Sequence, residues 1–411
     1  MCFNPFDSAL ALRSSDSAAF GEIPNTVAEL LTLASVRSPT TDGATKVSTS
    51  KPDQARIIVA DYNRRHLTTH LNRADLEANP LTIDETENLY QKTFKEFYGR
   101  LEAIIKKLSL STQESQLFKC LVTVSIELSK KIEIDFNDRV KDDPKLHLRN
   151  SGDRHEMAHP MDVMIVWLTR YSKNTTSNSS PVNTLQDKIL IGAIAAALHD
   201  AKEAWPVNNL PEFNKLVSKV LTESGCPTHI IKLSLITIDL LSSIPNSERI
   251  TPELIGAEKD QRLKKGEKYE ARLYYHDQNY QKGDAELDLA LEIAAEIKAC
   301  DLIVNGCDRM DGMLKVFEKL DSYLSCLKRN KDRDNHVLNA EKRADYEAKV
   351  KDLSEKAEKH YFTSRAYCFL AIAMKEYSFL SKPFKKLLEA AITVNQAVLE
   401  IYSAHQEKLT N

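Results

Sequence analysis

Four short segments carry side chains able to hold a divalent cation and a phosphorylated ligand. In chain order they are Arg149-Asn150-Ser151-Gly152, His159-Pro160, His199-Asp200 followed by Glu203, and Asp301 followed by Asn305. Two imidazoles and two carboxylates can ligate one cation and leave positions open for water and substrate. Mixed nitrogen and oxygen donors suit Mn²⁺, Fe²⁺ or Zn²⁺, and ligand type alone does not choose among them. A cation held this way acidifies water and polarises a phosphoryl oxygen. The spacing fits helices. His199 and Glu203 are four residues apart within AAALHDAKEAW, so one helix would present both on one face, and Asp301 and Asn305 repeat that spacing in IKACDLIVNGCD. Together with His159, the donors come from three helices, as in metal sites built in bundle cores.

Each segment also has a plainer reading. His159 alone fits a hydrogen-bonded core histidine. His199-Asp200 fits a decorated helix end, where an imidazolium meets the helix dipole. Asp301 fits a buried carboxylate paired with Lys298, and Asn305 fits a helix terminus. The ordered set argues for the metal site, to be confirmed by geometry.

In this order the segments resemble the HD-domain superfamily of metal-dependent phosphohydrolases, and within it the alarmone (ppGpp) hydrolase domain of the RelA/SpoT type and its small SpoT-like members. That family reads R-x-S-G, H-P, H-D-x-x-E-D and A-D-x-x-x-N. The chain has RNSG at 149–152, HP at 159–160, HDAKE at 199–203 and ACDLIVN at 299–305. The resemblance covers about residues 145–315. It implies His159, His199, Asp200 and Asp301 as Mn²⁺ ligands, and Glu203 as the acid that orients or activates the attacking water. It implies Arg149 and Asn305 as contacts to a nucleotide base, with Ser151 in the same base-binding segment. The family reaction is hydrolysis of the 3′-pyrophosphate of (p)ppGpp, and related members remove other nucleotide phosphates. Ala204 stands where the family has a second acid, and Asp308 where it often has a hydroxyl.

The elements that must position these residues read as helices. Gly and Pro number only 11 and 14 in 411 residues, against 42% hydrophobic residues, which disfavours a turn-rich β protein. Residues 1–55 form a polar arm with one short helix expected at 27–34. Residues 56–144 are an N-terminal helical extension: 82–108 carries apolar residues at helical spacing, and Ser111-Thr112-Gln113-Glu114 is a capping box opening the next helix. The HD-like domain occupies 145–315, with helices expected over 155–171 and 185–203, two helices between 211 and 245 broken at Gly225–Pro227, and another from 287 to 314. A charged insertion over 245–284 holds the YYHDQNY run at 274–280 and the basic residues Arg262, Lys264, Lys265 and Lys268. Residues 316–411 form a C-terminal helical extension. The expected fold is mainly α, an HD-domain bundle with added N- and C-terminal helices. His155, one turn before His159, is open to a supporting, substrate-facing or surface role.

The formal net charge of −3 gives no electrostatic case for nucleic-acid binding. Seven cysteines without a CxxC pair point to a reduced, cytoplasmic setting. No secretory signal is visible, and the longest apolar run, 189–198, is too short to span a bilayer. Three function classes follow. The first is a Mn²⁺-dependent hydrolase of a small nucleotide, with Fe²⁺ or Zn²⁺ as alternatives. The second is a degenerate domain that binds a nucleotide or protein without turnover. The third is a helical interaction protein with residues 316–411 as its binding surface for a partner and the metal structural. The polar arm and the added C-terminal helices would suit a protein delivered or docked elsewhere, such as a bacterial effector in a host cytosol, a role open to the degenerate domain as well.

Overall fold

The structure is a computed structural model and describes residues 50–65, 82–108, 110–136, 155–174, 182–206, 210–242, 285–331, 340–377 and 379–410. Every regular element among them is helical. In chain order they are α1 (Lys51–Arg65), α2 (Ile83–Ile105), α3 (Thr112–Phe136), α4 (Ala158–Asn174), α5 (Val182–Leu198), α6 (Ala201–Ala204), α7 (Leu210–Glu223), α8 (Thr228–Leu241), α9 (Ala285–Lys331), α10 (Ala340–Lys375) and α11 (Lys382–Thr410). The mainly α class is therefore observed. The expected helix at 27–34, Arg149, Ser151, the YYHDQNY run and the basic residues 262–268 lie outside the described residues.

Local chemistry fixes several boundaries. At α2, Thr82 and Glu85 form a reciprocal capping box: the Thr82 N–H donates to the Glu85 carboxylate at 2.7 Å, and the Glu85 N–H donates to the Thr82 hydroxyl at 3.2 Å. Ser111 and Glu114 repeat it at α3, at 2.7 and 3.2 Å, so the expected box is present. Between α7 and α8, Gly225 adopts φ +79, and the Cys226 N–H reaches back to the Leu221 carbonyl at 3.0 Å. That left-handed residue closes α7, and Pro227 then caps α8.

Helix α5 runs through the core: Ile191 and Ala193 to Leu198 are all buried. It packs against α3, α4, α8 and α9. The contact with α4 depends on Gly192. A Cβ placed there would meet the buried Trp167 ring at 2.1 Å, so the indole fills the space that only glycine leaves. Helix α9 is the longest element, with 47 residues. It touches α1, α4, α5, α8, α10 and α11. Position 315/316, the expected start of the C-terminal extension, falls inside this unbroken helix, so one element belongs to both parts. Likewise residues 51–55, expected in the polar arm, form the first turns of α1. No helix among the described residues is long and apolar enough to cross a membrane.

Candidate metal centre

Three helices deliver the donors. His159 lies in the first turn of α4, where the missing N–H of Pro160 is not needed for helix bonding. His199 directly follows α5. Asp301 sits mid-way along α9. All three are buried, and together they form a group whose donor atoms lie within 4.8 Å of one another. His159 Nε2 is 3.0 Å from Asp301 Oδ1 and 3.3 Å from His199 Nε2, and His199 Nε2 is 3.8 Å from Asp301 Oδ1. Donors about 2.0–2.2 Å from one shared cation are separated by roughly 3–3.5 Å, a range that two of the three distances meet and the His199–Asp301 distance slightly exceeds.

The orientation of His199 fits as well. Its Nδ1 lies 2.8 Å from the Ala196 carbonyl, which can only accept, so Nδ1 carries a proton and Nε2 is the nitrogen turned toward His159 and Asp301, able to ligate once it gives up its own proton. Second-sphere bonds of this kind orient ligating imidazoles in metal sites. The same bond bears on the helix end. The sequence predicts one helix over 185–203, but α5 stops at Leu198 and the short α6 restarts at Ala201. The imidazole occupies the Ala196 carbonyl where the helix ends, and His199-Asp200 become a turn between two helices.

Compared with known proteins, the chain matches no family model, no curated protein and no solved structure.

Asp200 stands at the mouth of the group. Its Oδ2 lies 3.3 Å from His199 Nε2 and 3.5 Å from His159 Nε2, while its side chain is 46% exposed. Glu203, half-buried on α6, is close enough for its charge to act on Asp200 and Lys298. Asn305 donates its amide to Asp301 Oδ1. In this arrangement it braces a candidate ligand, whereas the resemblance placed it on a base.

Lys298 supplies the other half of the Asp301 environment. Its buried ammonium donates to Asp301 Oδ2 at 2.6 Å. The two oxygens of one carboxylate thus face different ways, Oδ1 to the imidazoles and Oδ2 to the ammonium. Burial opposes ionisation of Asp301, but Lys298 and His199 outweigh it and hold the carboxyl below the usual range. Burial likewise opposes protonation of His199, yet the charges of Asp200 and Asp301 push its imidazole up to about 9. For Asp200, desolvation of the carboxylate oxygen turned in toward the imidazoles, together with the nearby Asp301 and Glu203, raises the carboxyl despite His199, although the rest of the side chain is open to solvent. The carboxylates of Asp200, Glu203 and Asp301 outnumber the cations beside them, the Lys298 ammonium and a protonated His199, and a divalent cation would take the place of the imidazolium proton in balancing them.

Other residues brace this frame without local sequence signals. His155 is buried: its Nδ1 accepts the Met157 N–H at 3.1 Å and its ring packs on Tyr90 of α2, with centroids 5.3 Å apart. The His155 carbonyl accepts the Ala158 N–H at 2.9 Å, so it helps to start α4 just before His159. Tyr62 of α1 donates to Asp162 of α4 at 3.3 Å, one turn after His159. Across α5, Trp167 donates to Glu296 of α9 at 3.4 Å, while Lys188 pairs with Glu292 and Glu296 at 2.7 and 3.3 Å.

Proposed function

We propose that the chain is an HD-type metal-dependent phosphohydrolase acting on a phosphorylated nucleotide, with (p)ppGpp-like 3′-pyrophosphates as the leading substrate class and Mn²⁺ as the leading metal. The observation that carries this reading is the convergence of His159, His199 and Asp301 from three helices, with Asp200 at the open side. The resemblance in motif order adds the substrate class.

His159, His199, Asp200 and Asp301 would hold the cation. Once bound, it supplies Lewis-acid polarisation of a phosphoryl oxygen and acidifies water. The chain's own residues do the rest. Glu203, near the exposed side of Asp200, orients the attacking water and accepts its proton. The Asn305 amide and the Lys298 ammonium fix both oxygens of Asp301, so the ligand is set in place before substrate arrives. Arg149 and Ser151 would contact the nucleotide, by the resemblance alone.

The test is phosphate and pyrophosphate release from a nucleotide panel that includes ppGpp, pppGpp and NADPH, with Mn²⁺, Fe²⁺ or Zn²⁺ added. Metal-dependent release that is absent in His199→Gln protein supports the proposal. A metal-loaded wild type that binds one of these nucleotides without releasing phosphate would instead establish a binding domain.

A further inference from the structure

The C-terminal helices approach the metal group at two independent places. The first is an aromatic bridge. Tyr367 of α10 is buried and lies against α9 with two cations on its ring: the Arg309 guanidinium at 3.9 Å from the centroid and the Lys298 ammonium at 5.8 Å. Lys298 also donates to Asp301 Oδ2. A continuous chain of contacts therefore runs from Tyr367 through Lys298 to Asp301. Asp301, Asn305 and Arg309 repeat every four residues on α9, so the bridge lies along the face that carries the donor.

The second place is Gly306, next to Asn305. A Cβ there would meet the amide nitrogen of the buried Asn395 of α11 at 3.0 Å. A glycine inside a long helix costs roughly 1 kcal/mol relative to alanine. Here it lets α11 close directly onto the stretch of α9 that carries Asn305.

We infer that α10 and α11 form the back wall of the metal centre, and that Tyr367 is a positioning residue that sets Lys298 and, through it, Asp301. The inference rests on the metal reading above. It departs from an appended C-terminal binding surface: the helices that could have been an independent module complete the site. An ammonium over a ring face is held by the ring quadrupole, and a desolvated one more firmly than an exposed one. Removing the ring frees Lys298 to relax and lets the Asp301 carboxylate turn.

The experiment compares Mn²⁺ affinity, by calorimetric titration of the full chain, for wild type, Tyr367→Phe, Tyr367→Leu and Leu370→Ala. The last truncates a fully buried α10 side chain that belongs to no contact in the bridge and controls for general loosening. Tyr367→Leu should weaken Mn²⁺ binding roughly tenfold, the lower end for an outer-sphere partner. Tyr367→Phe, which keeps the ring, should bind like wild type, and so should Leu370→Ala. Equal affinity of Tyr367→Leu and wild type overturns the inference and leaves the metal reading intact. A wild type that binds no divalent cation overturns the metal reading instead. Thermal unfolding of metal-free Lys298→Met, Tyr367→Leu and the double variant then decides the bridge itself. Non-additive losses in Tm support the coupling, and additive losses contradict it. Should Lys298→Met fail to fold, Lys298→Gln takes its place in the cycle.

Discussion

His159 and His199 face each other through their Nε2 atoms at 3.3 Å, both buried, with the Asp301 carboxylate 3.0 Å from one and 3.8 Å from the other. Two imidazoles turned toward one another in a buried pocket repel if both are protonated. A shared cation removes that conflict, because each nitrogen then offers a lone pair.

Glu203→Gln should separate binding from turnover. The amide keeps the size of the side chain and removes its basicity. Nucleotide hydrolysis should fall about 10²–10⁴-fold, the range for a positioned acid or base. Metal content should be unchanged, because the buried donor group does not include Glu203. Steady-state rates with parallel metal analysis check this, and an active Glu203→Gln would move the proton acceptor elsewhere.

Ala204→Asp tests the missing second acid. Ala204 ends α6 and packs against the core, with its N–H bonded to the Asp200 carbonyl at 3.3 Å. A carboxylate here adds negative charge beside Asp200 and Glu203. Turnover of (p)ppGpp-like substrates should rise in the metal-loaded protein, and metal-free stability should fall by about 1–3 kcal/mol for a partly buried polar group. A folded, metal-loaded variant with no gain on any nucleotide places the substrate outside the alarmone class.

Gly192→Ala should destabilise, although alanine is the better helix former. Helix propensity favours alanine by about 1 kcal/mol. The added carbon would meet the buried Trp167 ring at 2.1 Å, and overpacking of this kind costs about 1–3 kcal/mol. The two helices forced apart are those that deliver His159 and His199. Urea denaturation should show a net loss, and a net gain would mean that the indole moves freely.

His360 provides a pH dependence away from the metal group. Burial, with the charges of Arg309 and Lys359 adding to it, pushes its imidazole down to about 4. Its ordinary value is about 6.5, so the unfolded chain binds the extra proton first on acidification. His360 therefore contributes no penalty above about pH 6.5, and stability falls as pH drops from there toward 4. The loss is of the order of 3 kcal/mol at most. His360→Gln should flatten that limb of the stability–pH profile, and an unchanged slope would assign it to other groups.

The grouping of His159, His199 and Asp301 was legible through the order of the motifs, not through spacing along one helix, since His199 and Glu203 fall on either side of a helix break. His159, His199 and Asp301 converge although they are far apart in the chain, and the motif order anticipated it. The pairing of Asp301 with Lys298 was also legible, as an alternative to ligation. The structure makes the two compatible, since each oxygen of the carboxylate serves one role. The break at Leu198 was not legible: an apolar run ending in His-Asp-Ala-Lys-Glu keeps helical spacing, and only the imidazole bond to the Ala196 carbonyl marks the stop. Tyr367 left no trace either, because its place beside Lys298 is set by how α10 folds back along α9, which no local pattern encodes. The same holds for His155, whose burial against Tyr90 depends on α2.

The most direct measurement is the metal stoichiometry and Mn²⁺ affinity of the purified full chain, alongside His199→Gln and Asp301→Asn variants shown by circular dichroism to remain helical. Wild type should bind one divalent cation per chain, and each variant should lose binding or weaken it at least about tenfold. A wild type that binds no divalent cation, or a folded His199→Gln variant that binds it equally well, would contradict the metal centre.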